Sequence, residues 1–183
     1  MKLVEENKKF ANDEEYFLYE ESSELKHELI NANLYEMSGS SVYHNKLERR
    51  IANLIEGLLK QNGLEILTEG FKVRTPDNNF FYPDVIVCTN NLNRYFTNEP
   101  VLLVEVLSES TRKFDLTDKF IQYQKIPTLQ YYLCVEPEQQ VIIFYFKTKS
   151  GEWMTETFTK NESIINLPVL DISFSVKDIY NNA

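Results

Sequence analysis

A mixed α/β chain of the α+β kind, with a central mixed β-sheet flanked by helices, is predicted by three observations. One long amphipathic helical segment precedes a series of short strand-like runs, a second helical segment interrupts that series, and one run, Val101 to Leu107, is apolar except at Glu105. Helix, strands, helix, strands is an order that lays helices over a sheet. With 183 residues, 43% hydrophobic and 13% aromatic, the chain can bury one sizeable core. A single domain over 1–183 is expected, with residues 1–11 as a flexible arm.

Each element has its own local signal. Asn12 to Glu20 reads as a short acidic helix or an irregular arm, with Asn12 or Asp13 able to cap it. KHELINANLYEMS predicts two short strands around Asn31, Ala32 and Asn33, where asparagine tolerates turn geometry. Ser40 and Ser41 offer N-caps for a helix to about Gln61, with Gly63 as its stop. Leu47, Ile51, Leu54, Ile55 and Leu58 recur at helical spacing, so one face of this helix packs on a core.

From Leu64 to Val87 the segments LEILTEG, FKVR, a TPDNN turn and FFYPDVIVC predict a meander. A polar loop, Thr89 to Pro100, leads into VLLVEVL, too continuously apolar for a half-exposed strand and therefore central and covered on both faces. A second helix is predicted from about Phe114 to Lys125, ended by Pro127. QYYLCVE and VIIFYF flank a PEQQ turn, and Trp153 to Thr159 with Ile164 to Leu167 extend the sheet. Ser175 with Asp178 has the form of a capping box for a final short helix.

The formal charge of -9 argues against a protein that grips nucleic acid over a broad basic surface. A local patch is still open to it, from Lys46, Arg49 and Arg50, from Lys72 and Arg74, or from Arg112 and Lys113; scattered solubilising charge is the plainer account. No stretch reaches the roughly 18 apolar residues of a membrane span, and the first ten residues contain no apolar signal core. Cys88 and Cys134 lie inside apolar runs without the spacing of a zinc site or a staple. A soluble, cytoplasmic protein without membrane contact is expected.

The chemistry resides in a few charged residues at apolar positions. Glu105 interrupts a strand that should be buried, on the same face as Leu103 and Leu107, and an uncompensated carboxylate there costs several kcal/mol. A cation, a metal or an opening at the strand end must accompany it. Asp84 repeats the situation one strand earlier, just after Pro83, which marks a strand start or edge. Two such carboxylates, with a backbone carbonyl, suit Mg²⁺ or Mn²⁺, which take oxygen ligands and keep waters. Plain structural salt bridges are the alternative. Only His27 and His44 are present, which argues against a multi-histidine zinc cage.

On a helical wheel Leu116, Phe120 and Tyr123 cluster, and Lys119 lies roughly 65° from their centre, bordering the buried face. From there it can reach the sheet carboxylates, orient or deprotonate a water, or stabilise phosphate charge; a surface pair with Asp115 is the bland alternative. His44 shares the stripe of Leu47 and Ile51 and is either a packed histidine or a support for the site. Glu28 and Glu48 are weaker acidic candidates.

YPDVIV, then VLLVEVLSEST, then FDLTDKFIQYQKIPTLQYYLCVEPEQQVIIFY resemble the PD-(D/E)XK restriction-endonuclease-like superfamily, specifically its Uma-two family of predicted endonucleases. The resemblance extends back to KHELINANLYEMSGSSVYHN and covers the chain from about residue 12. It implies a restriction-endonuclease-like core in which Asp84, Glu105 and the carbonyl of Val106 bind the metal. The lysine that the superfamily carries two residues after the glutamate is replaced here by Leu107, and the family's displaced lysine matches Lys119. Where the family commonly has an acidic residue and glycine in the first hairpin turn, this chain has Asn31, Ala32 and Asn33. His44 and Asn45 match a His-Asn pair at the start of its long helix, which favours His44 facing the site, with Glu28 as a further support.

The activity implied is hydrolysis of a phosphodiester, expected in DNA, by a metal-activated water. Cutting two strands is geometrically easier with two sites, so a homodimer is expected. The alternatives are a catalytically inactive nuclease-fold module that binds protein or nucleic acid, motivated by the acidic balance, and a hydrolase of small phosphoesters.

Overall fold

Two six-stranded sheets and one two-stranded ribbon carry the chain. The computed structural model describes residues 2–5, 8–37, 39–68 and 70–180; Met1, Glu6, Asn7, Ser38, Glu69 and 181–183, which include part of the expected arm and the ends of two expected strands, lie outside the described residues. The order is β1 (Lys2–Glu5), α1 (Asp13–Ser22), β2 (His27–Ile30), β3 (Asn33–Glu36), α2 (Val42–Leu58), β4 (Leu64–Thr68), β5 (Lys72–Arg74), β6 (Phe80–Phe81), β7 (Val85–Thr89), β8 (Phe96–Thr97) and β9 (Pro100–Val106). A continuous helical segment follows, made of α3 (Arg112–Phe114), a π turn (Asp115–Lys119) and α4 (Phe120–Tyr123). The chain continues through β10 (Tyr131–Val135), β11 (Ile142–Lys147), β12 (Trp153–Phe158), β13 (Ile164–Leu167), a 3₁₀ turn (Pro168–Leu170), β14 (Ile172–Ser175) and α5 (Val176–Tyr180).

The larger core surrounds the sheet ordered β12-β11-β10-β9-β7-β4, antiparallel throughout except for the parallel pair β9–β10. VLLVEVL is central, as its unbroken apolarity predicts. Strand alternation sorts its residues: Leu102, Val104 and Val106 pack with Leu47, Ile51 and Ile55 of α2, while Leu103 and Leu107 pack with Tyr123 of α4 and Tyr132 of β10. Ser41 caps α2, its hydroxyl accepting the His44 N–H at 3.1 Å. The second sheet, β1-β3-β2-β6-β5-β8, packs Leu29, Leu34, Phe80 and Phe96 against Tyr16 and Phe17 of α1.

Several elements depart from expectation. The stretch from Leu64 to Val87 is not a meander: β4 pairs with β7 in one sheet and β5 with β6 in the other. The TPDNN turn closes the β5–β6 hairpin, with Asn78 at φ 59°, and then Pro83, lacking an N–H, ends the pairing and lets the chain cross between sheets. Residues 2–5, expected in a flexible arm, form an edge strand on β3. The polar loop contains β8, which adds to β5 in parallel. β13 pairs only with β14 instead of extending the sheet. Helix α2 stops at Leu58, with Leu59 turning extended at ψ 117°, so Gly63, at φ 85°, serves the following turn and not the helix end. The second helical segment begins two residues earlier than expected, at Arg112, and closes at Tyr123.

Candidate active site

The two faces of the larger sheet meet helices of different kinds, and the site lies where both reach the end of β9. Antiparallel register pairs Val85 with Val104, so one step further along sets Asp84 opposite Glu105. Glu105, 4% exposed, points to the face that carries Leu103 and Leu107. There the π turn presents Lys119, whose Nζ lies 2.9 Å from Glu105 Oε1, 3.1 Å from Glu28 Oε1 and 3.3 Å from Asp115 Oδ1. The Tyr123 hydroxyl donates to Glu105 Oε1 at 3.2 Å, and the Tyr82 N–H donates to Glu28 Oε1 at 3.0 Å.

A π turn holds one more residue than an α turn, which rotates the side chains that follow it. Lys119 therefore turns fully inward, where an undistorted wheel leaves it at the border of the buried face, and Asp115 is buried beside it. Tyr132 secures this turn by donating its hydroxyl to the Asp115 carbonyl at 3.0 Å.

At the strand end Asp84 and α2 meet. His44 Nε2 lies 3.0 Å from Asp84 Oδ1, and Asp84 Oδ2 accepts the Val106 N–H at 2.6 Å. Glu48, one turn along α2 and itself buried, completes a group in which one ligand atom each from His44, Glu48 and Asp84 lies within 4.8 Å of the others. Among the described residues this is the group of three histidine, cysteine or acidic side chains brought so close. Glu28, His44, Glu48, Asp84, Glu105 and Lys119 border one cleft of about 920 Å³.

The charge balance is lopsided. Burial pushes the Glu105 carboxyl well above the ordinary carboxylate range; Lys119 pulls it down, and Asp115, Asp84 and Glu28 push it up again. Burial likewise raises Glu28, with Lys119 and the Tyr82 N–H opposing. For Lys119 burial alone would favour the neutral amine, but Glu105, Glu28 and Asp115 outweigh it and hold the ammonium well above its usual range. His44 follows the same logic: burial lowers it, the Asp84 hydrogen bond and charge raise it, and the net direction is up.

Whether a divalent cation fits can be tested on these atoms. Glu28 Oε2 and Asp115 Oδ1 are buried without a hydrogen-bond partner, and a single lysine faces three buried carboxylates. Buried anionic oxygens in excess of their cations suit a hard divalent ion, which takes such ligands. The donor set fits.

Of the residues anticipated, Glu28, Glu105 and Lys119 are in direct contact, and Asp84 joins His44 and the Val106 backbone. Asp115 and Tyr123 belong to the same cluster but carried no separate signal: the first reads as a surface partner of Lys119, the second as part of an apolar stripe. The candidate basic patches do not form one surface. Lys72 is buried, 4.7 Å from the Tyr82 ring centroid; Arg74 pairs with Asp13, Arg112 pairs with Glu136, and Arg50 donates to the carbonyls of Ile179 and Tyr180. Lys46, Arg49 and Lys113 remain exposed. Cys88 and Cys134 are buried free thiols, and burial pushes Cys88 up to about 11. Among the described residues no helix is long and apolar enough to cross a membrane.

The chain has a mixed α+β architecture with large sheets flanked by helices. A crystal structure described as a "putative nuclease belonging to DUF820", from Anabaena variabilis, shares it with a TM-score of 0.74 at 16% identity, over 90% of this chain and 94% of that one. The chain belongs to the Uma2 family, described as "Putative restriction endonuclease", whose model matches residues 13–177. Two uncharacterized proteins of Synechocystis are also similar, slr1290 at 33% identity over 91% of this chain and 90% of its own, and sll1609 at 31% over 88% and 96%. Family membership supports a nuclease-like function.

Proposed function

We propose that this protein is a Mg²⁺- or Mn²⁺-dependent endonuclease that hydrolyses phosphodiester bonds in DNA. The observation that carries this is the convergence of Glu28, Glu105 and Asp115 on Lys119, with Asp84 at the adjoining strand end, inside a cleft of about 920 Å³. Asp84, Glu105 and the carbonyl of Val106 are the proposed metal ligands. An extended residue directs its N–H and C=O to the same side of the strand. The 2.6 Å bond from the Val106 N–H to Asp84 therefore supports a carbonyl facing Asp84 as well.

When bound, the metal supplies a nucleophilic water at neutral pH and bears charge developing on the phosphate. The chain's own residues do the rest. Lys119, held as an ammonium by its carboxylate neighbours, acts as a fixed positive charge toward the phosphate and not as a base. Tyr123 and Lys119 hold Glu105 in place, Glu28 fixes Lys119, and His44 holds Asp84.

Cleavage of two strands by one such cleft per chain favours a homodimer, and the buried unpaired Cys88 and Cys134 favour the reducing cytoplasm. The direct test is incubation of supercoiled plasmid with Mn²⁺ or Mg²⁺. The wild type is expected to nick or linearise it, and Asp84→Ala, Glu105→Ala and Lys119→Ala to lose about 10²-fold or more in rate. Equal cleavage by all four proteins, or none by any, overturns the proposal. Sedimentation equilibrium tests the dimer.

A further inference from the structure

We infer that two copies of this chain associate through the groove between α2 and the edge strand β4, with their α2 helices paired antiparallel about a two-fold axis. The inference rests on the proposed function in one respect, since it names the contact for the homodimer proposed there.

Helical spacing sets the face. Asn45, Arg49, Ala52, Asn53 and Glu56 recur at intervals of three and four along α2, so they share one side of the helix. Leu47, Ile51 and Ile55 turn instead to the core. Ile66 and Thr68 of β4 form the other wall of a groove of about 370 Å³. β4 ends the larger sheet, and among the described residues no strand pairs with its outer edge. An open edge is a template for association unless something covers it or charge guards it, and the one charged residue of β4 is Glu65.

The charges on this face fit a second copy of themselves. Arg49 and Glu56 are both exposed and lie seven residues apart, ~10 Å along the helix axis and on the same side of it. Neither forms an ion pair with another of the described residues. A two-fold axis passing between Ala52 and Asn53 sets Arg49 of each copy opposite Glu56 of the other, so that two such pairs flank the axis. The small Ala52 side chain near the axis lets the helices approach. A parallel pairing would set arginine against arginine and glutamate against glutamate, so the charge pattern itself selects the antiparallel one. A match of one stripe to its own reverse is what a contact between identical chains requires.

The groove adjoins the candidate active site. Glu48 lines both the groove and the cleft, so pairing braces the helix that presents His44 to Asp84. Because His44 lies in the first turn of α2, the antiparallel arrangement sets one cleft toward each end of the helix pair, with the two His44 residues ~25 Å apart along the axis.

Sedimentation equilibrium of the intact protein, without metal or DNA, is the test. The wild type is expected to be a dimer. Arg49→Glu and Glu56→Arg each replace two attractions by two repulsions on the surface of the helix, and each is expected to raise the dissociation constant about tenfold or more. Mixed in equal amounts, the two variants are expected to regain the dimer, because the two acidic positions of one chain then meet the two basic positions of the other. Added salt is expected to weaken the wild-type dimer. A monomeric wild type overturns the inference. So does a dimer that neither reversal weakens, and so do variants that stay apart when mixed. A dimer that leaves plasmid intact keeps this inference and removes the endonuclease; a monomer that cuts plasmid does the reverse.

Discussion

Lys119 and Glu105 meet at 2.9 Å with both side chains shut away from solvent, one delivered by a π turn and the other by the central strand of a sheet. Removing one partner of a buried ion pair leaves an uncompensated charge, at a cost of about 3–5 kcal/mol. Here the lysine also faces Glu28 and Asp115. Lys119→Met, which keeps the length and loses the charge, is expected to lower stability at neutral pH by about that amount. Urea unfolding measures it, and the loss should shrink in mild acid as the stranded carboxylates take up protons.

In the metal-free protein the raised carboxyls give stability a particular slope. Glu28 and Glu105 hold protons in the folded state at pH values where the unfolded chain, with carboxyls near 4.5, has released them. Their contribution therefore falls as pH rises from about 4.5 through their folded pKa. Lys119 adds nothing in this window, because a raised lysine stabilises fully below 10.5 and loses that as pH rises from there through its folded value. Urea midpoints taken from about pH 5 to pH 7 should fall more steeply for the wild type than for Glu105→Gln. A parallel pair of curves would contradict the assignment.

His44 supplies a direct spectroscopic check. Its imidazole is raised above 6.5 because the Asp84 hydrogen bond and charge outweigh burial. The stabilisation from that pairing is complete below 6.5 and disappears as pH climbs through the folded value. With only two histidines in the chain, assignment by NMR is simple. The His44 titration is expected above 6.5 in the wild type, and at or below it in Asp84→Asn, where burial still opposes the charge but its partner is gone.

The β2–β3 hairpin turns through Asn31 and Ala32 at φ 49° and 61°, so both central residues are left-handed. Asn31 suits this conformation, and its N–H is also held by the Asn79 side chain at 2.8 Å. Ala32 does not suit it, since a β-carbon there costs about 1–2 kcal/mol. Ala32→Gly is expected to raise stability by up to about 1 kcal/mol, the unfolded-chain entropy of glycine offsetting part of the relief. Thermal unfolding at fixed pH measures it.

Glu105 was legible because a carboxylate inside an apolar strand has few explanations, and alternation alone sets it beside Leu103 and Leu107. The capping of α2 by Ser41 and of α5 by the Ser175–Asp178 box is equally local, and the bonds are present. Pairing partners were not legible in the same way. Ile, Val and Phe runs look alike whichever sheet they join, so β4 through β7 read as one meander although the chain changes sheet between β4 and β5 and returns at Pro83. The contact of His44 with Asp84 spans 40 residues of sequence, and neither residue names the other. Glu28 reads as an ordinary hairpin charge until β2 is seen lying under Lys119.

The π turn also sets how sensitive this arrangement is to chain length. Between Arg112 and Tyr123 the helix carries one residue beyond what an even α-helix would place in the same span. Deleting Leu116 or Thr117 would restore the even helix and swing one side of the segment by about 100° relative to the other. Asp115, ahead of the deletion, and the Lys119–Tyr123 pair beyond it could then no longer all face Glu105. An alignment gap of a single position here would separate chains that share every charged residue into those with a lysine over the sheet and those with a lysine beside it.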